Sequence, residues 1–226
     1  MTKPDPMDRT VRILERRLAA VEAREAVERL QYQYGFYLDN RMWDELAELF
    51  CDDVDGPPSI EIGRRGSYTG RERVREFLVE VLGEGRWGLV TDEVINHIQL
   101  QPVITIAEDG RTARCRSRAL VLGNSPPGTG RLLLAEGVYE NRYAKRGGKW
   151  WIERLHWVPT FYTTVDGFDR AAFESAPPSE LVPPDMASDP ADERLGRQFL
   201  PFHYSHPVTG ADSPVPVADA ATPTHH

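Results

Sequence analysis

The chain is poor in most of the features that assign a protein to a function class on sight. It has two cysteines, Cys51 and Cys115, which can pair only with each other, so neither a disulfide scaffold nor a thiolate metal site is expected. Of its six histidines, His225 and His226 close the chain and are set aside as tag-like. The other four are scattered, with only His203 and His206 close together in the tail, and no HxH or HxxxH pattern suggests a metal site. The one glycine-dense loop, "GNSPPGTG", has no lysine and opens no helix, which excludes a phosphate loop. No serine or cysteine sits on a recognisable nucleophile turn. No apolar run approaches the ~20 residues of a membrane span, and "MTKPDPMDRT" lacks the apolar segment of a secretory signal. A soluble, reducing, cytoplasmic setting is therefore expected. Basic residues do not cluster, and the formal net charge is −8. That argues against a nucleic-acid surface and gives no reason to expect an anionic membrane as partner. Neither a cofactor nor a metal is expected.

What is present suits an ordinary globular protein. The 226 residues are 40% hydrophobic and 27% charged, enough for a sizeable core in one domain with extensions or in two small ones. Val11, Leu14, Leu18 and Val21 recur at helical spacing, and Val27, Leu30, Tyr34, Tyr37 and Leu38 continue it. Residues 8–40 read as one long helix, or two with a break near Ala23–Arg24. Trp43, Leu46, Ala47 and Phe50 give a short second helix, with Asn40 as the break. "IEIG" is a short strand, and "GRERVREFLVEVLG" is a third helix stopped at Gly83. The period then changes to that of strands. "EVINHIQLQPVITIAEDG", "RTARCRSRALVLG", "RLLLAEGVYENRYAKRGG" and "KWWIERLHWVPTFYTT" are four long strands, with hairpin turns at "AEDGR" and "KRGGK". Helices followed by a long antiparallel meander make an α+β protein. From residue 169 the chain turns Pro-rich, too uneven for a core of its own. Within it "FLPFHYSHPV" is too aromatic for a free tail and reads as an arm docking on the core or on a neighbouring subunit.

The stretch "QYQYGFYLDNRMWDEL" packs five aromatics around Asp39. With its continuation "AELFCDDV" it resembles the opening of the SnoaL-like branch of the nuclear transport factor two-like superfamily, which includes polyketide cyclases, scytalone dehydratase and bile-acid dehydratase. Tyr34, Asp39, Trp43–Asp44 and Phe50–Asp52 occupy that pattern. "YTGRERVREFL" resembles the next helix. "NHIQLQPVITI", with His97 ahead of Gln101–Pro102, and "GKWWIERLHW" resemble two of its strands. The resemblance covers about residues 20–165. It implies a cone: a curved, mixed, mostly antiparallel sheet wrapped around three N-terminal helices and enclosing an apolar cavity. The implied organisation is a helical extension over 1–22, the cone over 23–168, and a Pro-rich arm over 169–226 with an aromatic docking segment at 199–208. The arm should cross a subunit contact or cap the cavity, and relatives associate through the outer sheet face, so a homodimer or homotrimer is expected. "LHWVPTFYTTVDGF" with "PFHYSHPVTG" resembles a longer subgroup that includes lyases removing formaldehyde from lignin-derived diaryl compounds.

The implied activity is a cofactor-independent acid–base lyase acting on a small hydroxylated aromatic molecule. It would form a stilbene with loss of formaldehyde, or carry out a dehydration. The alternatives are an isomerase or cyclase of the same fold, or a non-catalytic ligand-binding module. Asp39 is either a helix-end acid or the carboxylate that takes a proton or orients a histidine. On an ideal helix it lies about 140° from Tyr34, so the two share a pocket only if the helix gives way near Leu38–Asn40. His97 shares a strand face with Gln99 and Gln101, opposite Ile98, Leu100, Ile104 and Ile106, and can pass a proton either way. His156, with Ile152, Arg154, Val158 and Thr160 on its face, is equally a buried structural histidine or a catalytic one. Tyr34 and Tyr37 either donate phenolic hydrogen bonds or pack in the core. Arg118 is either a partner of Glu136 on the outer face or a contact to polar substrate groups. Trp43, Trp87, Tyr139, Trp157 and Phe161 are the expected aromatic walls.

Overall fold

The computed structural model describes residues 6–218 apart from 53, 55, 125, 170–171 and 173–176. The terminal histidines and the first five residues of the extension lie outside the described residues. Helix α1 (Pro6–Asp39) runs 34 residues without a break. Its C-terminal half buries Ala23, Val27, Leu30, Tyr34 and Leu38, one face at three- and four-residue spacing. Residues 7–22 are exposed throughout.

The end of α1 is fixed by its backbone. Arg41 adopts φ 53°, its N–H donates to the Leu38 carbonyl at 3.1 Å, and the Met42 N–H donates to the Tyr37 carbonyl at 2.9 Å. This is a Schellman cap with arginine where glycine is usual. The left-handed conformation costs a side-chain-bearing residue about 1–2 kcal/mol. The offset is visible, because the Arg41 guanidinium is buried and donates to Glu93 at 2.9 Å and to the Gly83 carbonyl at 2.8 Å. The chain can then turn at once into α2 (Trp43–Ala47).

Strand β1 (Ser59–Ile62) and a short β2 (Ser67–Thr69), which the sequence pattern does not announce, precede α3 (Arg71–Glu76). That helix widens into π-type turns over Phe77–Leu82 and stops at Gly83, where a Cβ would strike the Trp43 indole. The four long strands follow: β3 (Ile95–Ile106), β4 (Thr112–Gly123), β5 (Arg131–Arg146) and β6 (Lys149–Asp166). The sheet order is β2-β1-β6-β5-β4-β3. Among the described strand pairs of this sheet, β1–β6 is the parallel one and the rest are antiparallel. The protein is thus α+β, with a curved, mostly antiparallel six-stranded sheet against its N-terminal helices.

Three bulges set which side chains face inward. In β3 the pairing jumps from Leu100–Arg118 to Val103–Arg116, with Gln101 at φ 53°. In β6 it skips Glu153 and again Thr160. Each inserted residue reverses the alternation of faces beyond it. In β3 this separates Ile98 and Leu100, both 43% exposed, from Ile104 and Ile106, which pack on the core. The simple alternation read from sequence had placed all four together.

The arm docks on its own chain. Phe202 and Tyr204 lie against Phe36, with ring centroids 5.9 and 6.4 Å away, and His206 stacks on Tyr37 at 5.3 Å. His206 Nε2 donates to the Glu45 carbonyl at 2.9 Å, Lys149 Nζ donates to the Val208 carbonyl at 2.6 Å, and Val217 bridges to Leu89. The aromatic segment therefore covers the end of α1. No residue of it lines the cavity described next, so it does not cap that cavity.

Candidate active site

A cavity of about 290 Å³ opens between the end of α1, the π-type turns and the inner face of the sheet. Its walls include Leu38, Trp43, Ile62, Val81, Leu82, Ile95, Val121, Leu133, Tyr139, Trp157 and Tyr162; polar groups come from His97, Arg41, Arg65 and Glu84. A mostly apolar cleft with a few convergent polar groups is the usual form of a small-molecule site.

His97 and Asp39 meet here. Asp39 is the last residue of α1 and His97 lies on β3, the edge strand. The His97 backbone N–H donates to Asp39 Oδ1 at 2.7 Å, and His97 Nδ1 lies 2.8 Å from the same oxygen. The carboxylate thus satisfies an edge-strand amide and orients the imidazole with one atom. With Nδ1 held, Nε2 is the nitrogen available to a molecule in the cavity. Both side chains are 16% exposed. Burial raises the Asp39 pKa above the ordinary carboxylate value, partly offset by the His97 contacts. Asp39 itself lines a shallow groove between α1 and β3 rather than the cavity, whereas His97 lines both. The helix does give way after Asp39, as a shared pocket requires, but the carboxylate stands behind the histidine.

Tyr34 stands behind Tyr139. Tyr34 is fully buried, its ring edge-on to Tyr139 with centroids 6.0 Å apart. Burial pushes both phenols well above their ordinary pKa, so both remain neutral donors. Tyr139, Trp43 and Trp157 do form the aromatic wall. The Trp157 indole lies over Gly137, where an added Cβ would sit 2.8 Å from the ring and 2.6 Å from the Val158 carbonyl. Gly137→Ala should therefore lower thermal stability by about 1–3 kcal/mol through overpacking and weaken binding of any ligand stacked on Trp157. A melting curve and a ligand titration would show it.

Other expected site residues lie elsewhere, for identifiable reasons. His156 falls between the buried Leu155 and Trp157 because the Glu153 bulge shifts the phase of β6. Its Nε2 faces Glu61 at 3.4 Å, beside the Arg154–Glu61 pair at 3.1 Å, and it does not line the cavity. Phe161 does not line the cavity, because beyond the Thr160 bulge it is Tyr162 that lies on the Trp157 side, edge-on to that indole, although Tyr162 keeps 51% of its surface exposed. Arg118 pairs with Glu136 at 2.7 Å across β4 and β5, next to the Arg116–Glu140 pair, on the exposed side of the sheet. Trp87 donates to Glu45 at 3.1 Å and packs on the core. Tyr37 is buried under His206. The sequence reading missed Arg41, Arg65, Glu84 and Tyr162. A left-handed residue after a helix-ending Asp-Asn is a weak signal for the first, and nothing in the sequence pattern marked the others.

Among the described residues no group of histidine, cysteine and acidic side chains could hold a metal ion, and no helix is long and apolar enough to cross a membrane.

This architecture is that of the cystatin-like, nuclear transport factor two-like folds. Residues 19–156 match the model of the SnoaL-like domain, and the chain belongs to that family. No functionally curated protein matches the sequence. Among solved structures, a scytalone dehydratase-like protein of Novosphingobium aromaticivorans is 21% identical, with 64% of this chain and 89% of that one covered and a TM-score of 0.53. A type 2 hexachlorocyclohexane dehydrochlorinase, LinA, is 22% identical over 71% and 97% of the two chains, with a TM-score of 0.56. The LinA-type3 dehydrochlorinase of Novosphingobium barchaimii LL02 is 21% identical over 71% and 99%, with a TM-score of 0.54. At these identities the likeness is one of fold.

Proposed function

We propose that this protein is a cofactor-independent lyase that uses His97, oriented by Asp39, to remove a proton from a small hydroxylated aromatic molecule. The observation that carries the reading is the Asp39–His97 contact at 2.8 Å behind an aromatic-walled cavity that His97 lines. The structural neighbours named dehydratase and dehydrochlorinase both name eliminations, which supports it.

In this reading, Nε2 of neutral His97 takes the proton. The freed electron pair forms the new double bond, and the leaving hydroxyl departs as water after accepting the proton back from the imidazolium. Tyr139, held neutral by burial, donates a hydrogen bond to the departing oxygen. Trp43 and Trp157 flank the ring and favour positive charge at a benzylic carbon. Were the proton taken from a hydroxymethyl O–H instead, a C–C bond would break and formaldehyde would leave together with the benzylic hydroxyl. At about 290 Å³ the cavity sits at the small end of ligand sites, roughly 300–1,000 Å³. It encloses one substituted ring, and the second ring of a lignin-derived diaryl compound would extend through the mouth. Incubation with a panel of diarylpropanediols and hydroxylated aromatics, scored for formaldehyde and new ultraviolet absorbance, tests the reading. Binding without product from any of them would point instead to a ligand-binding module.

Asp39→Asn separates the charge from the shape. Asparagine can still accept from the His97 backbone but carries no charge to stabilise an imidazolium. Turnover should fall by about 10²–10⁴-fold, with the fold retained. The pH dependence has a defined sign. The folded Asp39 carboxylate takes up its proton at higher pH than an unfolded one, so kcat/KM should drop on the acid side while still above the ordinary carboxylate range. The same shift favours the fold below the unfolded pKa and is lost as pH rises through the folded value. At neutral pH, then, the asparagine variant should melt no lower than the wild type. Wild-type turnover in this variant would remove Asp39 from the mechanism.

Self-association through the exposed side of the sheet is part of the same proposal. Ile98, Leu100, Val103, Val158 and Phe161 leave 43–66% of their surfaces open there.

A further inference from the structure

The first half of α1 carries a second apolar stripe. Met7, Val11, Leu14, Leu18 and Val21 follow a strict four–three–four–three spacing, the a/d repeat of a coiled coil. They are 44–67% exposed. On an ideal helix this stripe points about 180° away from the Ala23–Val27–Leu30–Tyr34 face that packs on the sheet. It therefore does not extend the domain's own core. The helix reverses its apolar side near residue 22, and among the described residues Val11, Leu14, Leu18 and Val21 stay exposed, while the aromatic part of the arm meets α1 at Phe36 and Tyr37.

The flanks of the stripe are sorted by charge. With Met7, Leu14 and Val21 as d residues, Asp8, Glu15 and Glu22 hold the position after each of them; of the positions before an a residue, Arg17 precedes Leu18, Thr10 precedes Val11, and Arg24 precedes the next a position, Glu25. Two parallel copies would set the basic flank of each against the acidic flank of the other, pairing Arg17 with Glu22 of its mate twice over. An antiparallel pair would oppose Glu15 to Glu22 and Arg17 to Arg24. The stripe ends where Glu25 and Glu28 take the next a and d positions, which limits the contact to about two heptads.

We propose that residues 7–22 of α1 form a parallel two-stranded coiled coil with the same segment of a second copy of this chain. None of these residues lines the cavity. Two heptads bury less than the roughly 1,200 Å² of a stable interface, so the dimer should dissociate on dilution. Sedimentation equilibrium of the full chain across concentrations should show the average mass rising towards a dimer or a multiple of one. Leu14→Glu with Leu18→Glu, both at exposed sites, should halve the limiting mass while leaving the circular dichroism of the sheet unchanged. Arg17→Glu should weaken association at least tenfold, and adding Glu22→Arg should restore it. A monomeric wild type overturns the proposal. So does an unchanged mass in the Leu14/Leu18 variant, as association through the sheet face alone would give. Tighter association of Arg17→Glu also overturns it, because that is the antiparallel result.

Discussion

Replacing His97 with alanine should lower kcat/KM on an identified substrate by about 10²–10⁴-fold, the usual contribution of a positioned general base. The expectation rests on geometry. Nδ1 is occupied by Asp39 at 2.8 Å, so the ring is held in one orientation, with Nε2 as the nitrogen that can work in the cavity. Alanine removes that nitrogen and also opens space. Glutamine is therefore the better companion variant, since its amide fills much of the imidazole volume without accepting a proton near neutral pH. Both variants should still bind ligand, because the aromatic wall of Trp43, Tyr139 and Trp157 is untouched. Both should stay folded, because the backbone N–H that Asp39 accepts at 2.7 Å belongs to the strand whatever the side chain. Loss of turnover with ligand binding retained separates a lyase from a binding module. Full turnover in His97→Gln would show that the base lies elsewhere.

Glu93→Ala should destabilise the protein by about 3–5 kcal/mol, the cost of breaking a buried ion pair by removing one partner. Glu93 is fully buried and faces two guanidiniums, with Oε1 2.9 Å from Arg41 Nη1 and 2.7 Å from Arg86 Nη2. Oε2 accepts the Val90 N–H at 3.1 Å. Without the carboxylate, two cations remain in an enclosed site. Burial already lowers the Arg41 pKa and Glu93 is the main group opposing that shift. At roughly 2–4 °C per kcal/mol for a chain of this size, the melting temperature should fall by roughly 6–20 °C. Glu93→Gln keeps the shape and removes the charge, and should lose most of the same stability. The damage should also reach the site, because Arg41 caps α1 two residues after Asp39 and lines the cavity. A melting temperature within a degree or two of wild type in both variants would show that the arginines are satisfied by other partners.

How far the site was legible in the sequence depended on the kind of signal. The end of α1 at Asp39 was readable from Asn40 and the loss of helical rhythm. Trp43, expected as a wall, reaches the cavity from the start of α2, and Tyr139 reaches it from β5, which carries no inserted residue; Trp157 reaches it from between the two bulges of β6. His97 comes ahead of the bulge in its own strand. His156, left open between a structural and a catalytic role, and Phe161, expected as a wall, both stay out of the cavity lining for one physical reason. A single inserted residue in β6 exchanges inside and outside, and neither Glu153 nor Thr160 differs in type from an ordinary strand residue. Arg118 was left open between two roles, and the structure commits it to Glu136 because the two stand on adjacent strands facing outward.

The sequence by itself determined the order of helices and strands, the α+β class, the family pattern around Tyr34–Asp39–Trp43, and the a/d stripe on α1. Each of these is a matter of local periodicity and spacing, which the linear chain carries in full. Only the tertiary structure decided that Asp39 contacts His97 rather than His156, that Tyr162 rather than Phe161 lines the cavity, and that the aromatic segment of the arm covers the end of α1. It alone also decided that Glu93 holds Arg41 and Arg86. These depend on bulge positions and on contacts between residues up to 161 apart in the chain, as between His206 and Glu45. Such pairings follow from how packed elements meet, which no local pattern records.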